Sequence, residues 1–287
     1  MKEYVAHFKE ISTLCDNLIQ SYWDLLFDKE KEPVETMILT YLRLSGINAK
    51  TLSILIENEL YIPSILICRN VLETFFNLNW VMVPDSKDGE SDGANFDKLT
   101  ESEIEERERI ERIEKVNQLE ADPYSHFERD IKEMERGLEE GKIAWKKEVI
   151  ENMRKRMNDE MIEFPNLVTK DRKDNLVFKK SPNMAMKMGE HKNKFYHVYS
   201  FTSAIAHPTP KLKEFLPCAP LVEEKTIKII GESLYKTYSS TIFFIQSIMG
   251  YSKAMFDTLS PNLISERELI MQRINVILFE ADPSFII

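Results

Sequence analysis

The fold of the chain is indicated most clearly by residues Ser53–Trp80, SILIENELYIPSILICRNVLETFFNLNW. Two apolar segments are separated by Tyr61–Pro63, a pattern that predicts a helical hairpin. The second arm is apolar on every side, and such a helix belongs at the centre of a bundle. Arg69 and Glu73 are nevertheless the only formal charges between residues 63 and 84. Because they are four residues apart, they lie one turn from each other on the same face of the helix.

A second stretch, Phe195–Pro208 (FYHVYSFTSAIAHP), predicts another apolar helix with a polar face. Pro208 disfavours helical geometry in the residue before it, so we expect this helix to end there. Polar groups that leave water must find hydrogen-bond partners. We therefore expect this face to pack against Arg69 and Glu73. The members of the face follow three-and-four spacing and are Tyr196, Tyr199, Ser203 and His207.

The rest of the chain predicts an all-α protein. Only 8 glycines occur in 287 residues, and no stretch shows strong strand alternation. We predict an up-and-down helical bundle in which residues 1–97 and 164–287 form one composite domain. Apolar residues recur at three- and four-residue intervals, the spacing of amphipathic helices. The helices that this spacing predicts cover residues 4–27, 34–60, 223–259 and 265–279.

Residues 98–163 are dominated by charge and carry only a thin apolar stripe. Helix-forming residues abound, and Asp122–Pro123 is expected to break the run, so we predict a protruding hairpin of two or three helices. This hairpin is either a solvated charged surface or an arm that binds a partner or a second copy of the chain. The connector that follows, residues 164–180, has an excess of basic side chains, namely Lys170, Arg172, Lys173, Lys179 and Lys180.

Composition excludes several classes of protein. No glycine-rich phosphate loop of the GxxxxGK[ST] or GxGxxG form is present. Cys15, Cys68 and Cys218 are far apart and form no CxxC pair, which predicts reduced thiols and a cytoplasmic protein. We expect no signal peptide, no membrane span, no metal site and no cofactor. The formal net charge of −10 argues against a general nucleic-acid coat, but it allows an enzyme that binds RNA through one basic patch.

Both stretches resemble an uncharacterised bacterial all-helical family, a domain of unknown function. Its two signatures are an Arg-x-x-x-Glu helix after an apolar helix and turn, and a Tyr-x-x-Tyr-x-x-x-Ser-x-x-x-His-Pro helix. They correspond to Arg69 and Glu73 in the first stretch and to Tyr196–Pro208 in the second. The resemblance covers residues 34–83 and 183–255, whereas the charged middle is not diagnostic.

That family is loosely similar to the HEPN helical bundles, many of which are ribonucleases or components of toxin and phage-defence systems. HEPN nucleases carry their Arg and His within one helix, whereas here Arg69 is followed by Glu73 and the candidate histidine is His207. The resemblance implies a bacterial defence or stress effector that cleaves or binds RNA, and a metal-independent ribonuclease if it is an enzyme. His207 would act as general acid or base on the ribose 2′-hydroxyl, and Arg69 would stabilise charge on the phosphate.

The candidate site therefore has a catalytic part and a substrate-binding part. The catalytic candidates are Arg69, Glu73, Ser203 and His207. The substrate-binding candidates are Asn70, Tyr196, Tyr199, Lys192, Lys194 and Lys211.

Two alternatives stay open at the level of sequence. In the first, the polar cluster is a buried network that fixes helix register, with Arg69 and Glu73 as a satisfied ion pair. In the second, the protein is a non-enzymatic helical module that binds a protein or small ligand, with residues 98–163 as its contact arm. The thin apolar stripe of that arm predicts a homo-oligomer under either function.

Overall fold

The computed structural model describes residues 1–22, 31–84, 100–141, 147–206, 224–257 and 264–285, and for residues 224–230 the backbone alone. Over these ranges the chain is almost entirely helical, which confirms the predicted all-α fold. No helix in these ranges combines the length and apolar character needed to cross a membrane. The α-helices are α1 (Lys2–Ser21), α2 (Pro33–Glu57), α3 (Tyr61–Met82), α4 (Glu101–Glu139), α5 (Lys147–Glu163), α6 (Met184–Lys187), α7 (Lys192–Ala206), α8 (Glu224–Phe256) and α9 (Ile264–Ala281).

The chain divides into two compact units. Unit 1 contains Met1–Asn79 and Met184–Ile287, and unit 2 contains Trp80–Asn183. Unit 2 therefore includes the charged segment together with the basic connector that follows it. Both polar faces that the sequence indicates as a site belong to unit 1.

The core of unit 1 is formed by the apolar faces of α1, α2, α8 and α9. Helices α1 and α2 approach closely at Gly46, where an added Cβ would lie 3.0 Å from the Cβ of Cys15. Each large apolar side chain that is fully buried contributes roughly 1.5–3 kcal/mol to folding. Fully buried members of this core include Phe8, Ile11, Leu18, Ile38, Leu52, Ile245 and Ile274.

Helix α3 is fixed within unit 1 by aromatic packing and by a hydrogen bond near its C-terminal end. The ring centroid of Phe76 lies 5.7 Å from that of Phe244 on α8 and 6.2 Å from that of Phe195 on α7. Such pairs add about 0.5–1.5 kcal/mol to the gain from burial. The hydroxyl of Tyr251 donates to the Oδ1 of Asn79 at 2.7 Å. These contacts set the position of α3 against α7 and α8.

In unit 2, α4 is a single helix of 39 residues, so the predicted break at Asp122–Pro123 is wrong. A proline inside a helix removes one backbone donor and costs roughly 3 kcal/mol. Here the residues on both sides of Pro123 are held by tertiary contacts. The Asp122 carboxylate accepts the backbone N–H of Ser181 at 3.0 Å and also its hydroxyl, and the ring of Tyr124 stacks on that of Phe178 at 5.0 Å. Packing therefore outweighs the local preference of proline.

Unit 2 also contains a short antiparallel hairpin that the sequence did not predict. Strand β1 (Val168–Lys170) pairs with strand β2 (Leu176–Phe178). Strands of three residues are too short to show the two-residue period by which strands are recognised. The inner face of the hairpin contributes to a hydrophobic cluster of Ala121, Met161, Leu167 and Phe178.

Candidate functional site

Arg69 on α3 joins the two polar faces that the sequence indicates. Its Nη2 lies 2.7 Å from the Oε1 of Glu73, an ion pair between positions one turn apart. Its Nη1 donates a hydrogen bond to the Oγ of Ser203 on α7. The structure thus places Arg69, Glu73 and Ser203 in direct contact, although Ser203 lies 134 residues further along the chain.

The ring of Tyr199 completes the surroundings of the guanidinium group. The Cζ of Arg69 lies 5.2 Å from the centroid of this ring, a distance at which a cation is attracted to an aromatic face. Tyr199 precedes Ser203 by one turn and therefore lies on the same face of α7. A ring contact and a hydrogen bond from one helix hold the guanidinium in a defined orientation. We refer to Arg69, Glu73, Tyr199 and Ser203 as the Arg69 cluster.

The Arg69 cluster is accessible from the surface. The side chains of Arg69 and Glu73 are 15% and 37% exposed, whereas Val71 and Leu72 between them are fully buried. Water reaches the Glu73 end of this ion pair more freely than the Arg69 end, which is largely buried. A ligand can therefore approach the pair from the side of Glu73.

Comparison with known proteins places the chain in a family. The model of DUF5677, a family of unknown function, matches residues 38–218. The chain belongs to this family. The prediction of an uncharacterised domain family is thereby confirmed, and the matched span contains the whole Arg69 cluster. Similarity to HEPN bundles and a bacterial origin stay predictions. No curated protein and no solved structure matches the chain.

Three further residues predicted for substrate binding lie on exposed parts of the same two helices in this DUF5677 protein. Asn70 is exposed on α3 next to Arg69. Tyr196 on α7 is 52% exposed and precedes Ser203 by two turns. Lys192 is exposed at the first position of α7. Each of these side chains can be reached by a ligand from solvent.

Of the three remaining predicted residues, the structure describes Lys194 alone. Lys194 is exposed on α7, and its Nζ lies 5.1 Å from the ring centroid of Phe243 on α8, so this amine is held over an aromatic side chain. His207 and Lys211 lie outside the described residues. Helix α7 ends at Ala206, so His207 is the next residue of the chain. The roles predicted for His207 and Lys211 stay predictions.

One polar contact near the cluster was missed by the sequence analysis. The Nζ of Lys187, which is only 7% exposed, donates to the Oδ1 of Asn77 at 2.9 Å. Asn77 follows Glu73 by four residues and therefore extends the polar row on α3 by one turn. That spacing was a signal in the sequence, but nothing local indicated a lysine 110 residues away as the partner.

The chemistry that the site offers follows from its charges. Burial raises the pKa of the Cys68 thiol, beside Arg69 in the chain, to about 12, so this sulfur stays protonated and is a poor nucleophile. Among the described residues, no group of three or more His, Cys, Asp or Glu side chains is placed to hold a metal ion. The Arg69 cluster provides an oriented cation, a hydroxyl and a carboxylate. Such a set can bind a phosphate through the guanidinium and accept a proton at the carboxylate.

Proposed function

We propose that this DUF5677 protein binds RNA at the Arg69 cluster and cleaves it there. The observation that supports this most is the orientation of Arg69, which Ser203 and Tyr199 hold beside a surface carboxylate. A guanidinium group fixed in this way can donate two parallel hydrogen bonds to a phosphodiester. Because the side chain is already ordered, little rotamer freedom is lost when the phosphate binds.

The proposed reaction is attack of the ribose 2′-oxygen on the adjacent phosphorus. A base removes the proton of the 2′-hydroxyl while the O2′–P bond forms and the P–O5′ bond breaks. The leaving 5′-oxygen takes up a proton, so the products are a 2′,3′-cyclic phosphate and a 5′-hydroxyl. His207 is proposed as the acid or base, and Arg69 balances the charge that develops on the phosphate oxygens. The proposed reaction uses no metal ion.

Glu73 has two proposed roles. Before RNA binds, its carboxylate pairs with Arg69 at 2.7 Å and keeps the guanidinium at the surface. Because the Glu73 side chain is partly exposed, a phosphate that arrives from solvent can take the place of its carboxylate beside Arg69. The released carboxylate is then a second proton acceptor next to the bound phosphate.

The exposed residues around the cluster are proposed to hold the RNA strand. The free face of Tyr196 offers a surface on which a base can stack. Lys192 and Ser203 are eleven residues apart, about 16 Å along a helix, so one face of α7 can follow several nucleotides. Lys192, Lys194 and Lys211 are proposed to contact phosphates, and Asn70 to hydrogen-bond the strand.

The test is RNA cleavage by the purified full chain in EDTA, with an end-labelled mixed-sequence RNA and with bulk tRNA. Arg69→Ala is expected to lower the cleavage rate about 10²–10³-fold, the usual effect of removing one oriented donor to a developing charge. Arg69→Lys keeps the charge but not the forked geometry, so an intermediate rate is expected. Arg43→Ala, at an exposed arginine on α2, is the matched control and should cleave like the wild type.

The products and the folding of each variant complete the experiment. Cyclic phosphate ends are expected in the wild-type products, and each variant should unfold at close to the wild-type temperature. Absence of cleavage by the wild type overturns the proposal. So does equal cleavage by Arg69→Ala, and the Arg69 cluster is then a network that fixes helix register.

The proposed setting is the cytoplasm of a bacterium, where the protein acts as a homo-oligomeric defence or stress effector. The HEPN resemblance supports the defence role, and the thin apolar stripe of residues 98–163 supports self-association. Induced expression is expected to arrest growth and degrade tRNA. Both effects should be absent with Arg69→Ala at matched soluble yield.

One observation favours a second function, a non-enzymatic module that binds a partner through residues 98–163. Residues 101–110 of α4 contain no buried side chain, and Ile104 and Ile110 are 37% and 56% exposed. This function replaces the first if Ile110→Ser abolishes growth arrest while Arg69→Ala retains it. Both variants must keep the unfolding temperature of the wild type for this comparison.

A further inference from the structure

The β1–β2 hairpin of unit 2 ends in a turn whose shape is fixed by one carboxylate. The Oδ1 of Asp171 accepts the backbone N–H of Lys173 at 2.7 Å and that of Asn175 at 3.0 Å. The backbone N–H of Asp171 in turn donates to the carbonyl of Asn175 at 2.9 Å. Asp174 adopts a φ of 59°, a left-handed conformation that Asp tolerates better than most residues. The turn is therefore held in one conformation by its own hydrogen bonds.

This hairpin has a charge opposite to that of the whole protein. Residues 168–180 contain five cationic and two acidic side chains, whereas the chain as a whole carries a formal charge of −10. We refer to residues 168–180 as the basic hairpin. Lys179 is paired with Glu114 at 2.6 Å. The other cations are exposed and make no ion pair with any residue that the structure describes: Lys170, Arg172, Lys173 and Lys180.

Arginines on α4, also in unit 2, form ion pairs, unlike most cations of the basic hairpin. On α4, Arg109 pairs with Glu106 and Arg112 with Glu108, each at 2.8 Å. These charges are neutralised by neighbours one turn away, as is typical of a solvated helix. In the basic hairpin, Lys173 interacts electrostatically with Asp171, but that carboxylate accepts two backbone N–H groups, and the four exposed cations make no ion pair with a described residue.

We propose that the basic hairpin binds the phosphate backbone of a nucleic acid. A polyanion is repelled by a protein of net charge −10 unless it meets a local concentration of positive charge. Arg172 adds a planar fork that suits phosphate oxygens, and Lys170 and Lys173 add mobile point charges beside it. Because the turn is already ordered, binding does not have to fix its backbone. The inference concerns binding alone and holds whether or not the Arg69 cluster cleaves RNA.

The experiment measures binding of the full chain to labelled single-stranded RNA, duplex RNA and duplex DNA by fluorescence anisotropy. The double variant Arg172→Ala/Lys173→Ala is expected to bind about tenfold or more weakly at 0.1 M salt. The slope of log affinity against log salt should fall by about 1.4 for single strands or about 1.8 for duplexes, because each lost phosphate contact removes about 0.7 or 0.9. The strand type whose affinity falls most in the double variant is the form of nucleic acid that the basic hairpin prefers.

The matched control is Arg43→Ala/Lys50→Ala on α2, which removes the same charge from exposed positions in unit 1. This control should keep the affinity and the salt slope of the wild type. Equal losses in the two double variants would show a general charge effect and overturn the proposal. Failure of the wild type to bind any of the three nucleic acids also overturns it.

The two proposals of RNA cleavage and hairpin binding can fail separately. In an Arg69→Ala background, which is expected to lose cleavage, Arg172→Ala/Lys173→Ala should weaken binding by the same factor as it does in the wild type. Arg172→Ala/Lys173→Ala should retain the cleavage rate at saturating RNA, with a raised KM. No further loss of binding from Arg172→Ala/Lys173→Ala in the Arg69→Ala background would contradict separate roles for the two surfaces.

Discussion

Arg267 shows how a single buried charge is stabilised by contacts within the protein. Its side chain is fully buried, and its Nη1 donates to the Oδ1 of Asp257 at 3.1 Å. Its Nη2 donates to the backbone carbonyl of Ser21 at 3.1 Å, at the C-terminal end of α1, where the helix dipole favours a cation. The guanidinium also lies 4.4 Å from the ring centroid of Tyr22. Arg267 therefore links the ends of α1 and α8 from its position on α9.

Replacing Arg267 by Met is expected to destabilise the protein by about 1–3 kcal/mol, because the partly buried carbonyl of Ser21 loses its donor. Asp257, in contrast, keeps Lys253 as a partner. Arg273→Met on the same helix is the matched control. Arg273 pairs with Glu10 at the surface, where the two side chains are 44% and 37% exposed, so its loss should cost no more than about 1 kcal/mol. Urea unfolding followed by circular dichroism measures both values. Equal losses in the two variants would contradict this assignment.

The Glu10–Arg273 pair predicts a dependence of stability on pH. The hydrogen bond from Arg273 lowers the pKa of the Glu10 carboxyl below its ordinary value. A lowered pKa in the folded state adds stability above the ordinary pKa, and this stability is lost as pH falls through the lowered value. The difference in unfolding temperature between wild type and Arg273→Met should therefore be larger at pH 7 than near pH 3. A constant difference over this range would contradict the pair's contribution.

Among the candidate site residues, local spacing predicted which ones share a helix face, but not how deep each one lies. Arg69 and Glu73 were predicted as neighbours because four residues make about one turn. Tyr196 and Tyr199 looked equivalent in the sequence, yet the ring of Tyr199 lies under Arg69 while Tyr196 is 52% exposed. A rotation of α7 about its axis decides this difference, and that rotation is set by packing between helices.

At the scale of elements, most helices could be predicted because their apolar faces repeat with the helical period. The predicted helix over residues 34–60 corresponds to α2 (Pro33–Glu57), and that over 223–259 to α8 (Glu224–Phe256). The sequence could not predict why a glycine occupies position 46 of α2. Only the structure shows that Cys15 of α1 packs closely against this position.

Gly46→Ala is expected to destabilise the protein by about 1–3 kcal/mol, because the new methyl group would lie 3.0 Å from the Cβ of Cys15. Gly231→Ala on α8 is the matched control, since an added Cβ there has no atom of the described residues within 4 Å. That control should be neutral or up to about 1 kcal/mol more stable, because alanine favours the helix. Thermal unfolding of both variants tests the contrast. A gain in stability from Gly46→Ala would show that α1 and α2 can separate without loss.

At the scale of the whole molecule, the two units have separate hydrophobic clusters and are expected to open separately. The cluster of unit 2 joins Ala121 of α4 and Met161 of α5 to Leu167 and Phe178. Compact parts with their own cores commonly exchange their amide hydrogens as independent units.

Phe178→Ala is therefore expected to reduce the local stability of unit 2 by about 3–5 kcal/mol, the usual range for loss of a buried phenylalanine ring. Hydrogen exchange measured by mass spectrometry should show lost protection in α4 and α5, with protection kept in α1 and α2. Leu176→Ala, at a residue 58% exposed on the same hairpin, should leave the exchange pattern unchanged. Loss of protection throughout the chain would show that the units unfold as one.

The sequence by itself determined the all-α fold, the approximate positions of most helices, and the rare charges of α3. These properties follow from composition and from the spacing of apolar residues over a few positions, both of which can be read from short segments of the chain. Only the tertiary structure decided that α4 continues through Pro123, which atoms of Arg69 and Ser203 meet across the two faces that were expected to pack, and that Arg267 meets Ser21. The last two contacts join residues 134 and 246 positions apart. Such contacts depend on how helix faces pack in three dimensions, and no local pattern in the chain specifies that packing.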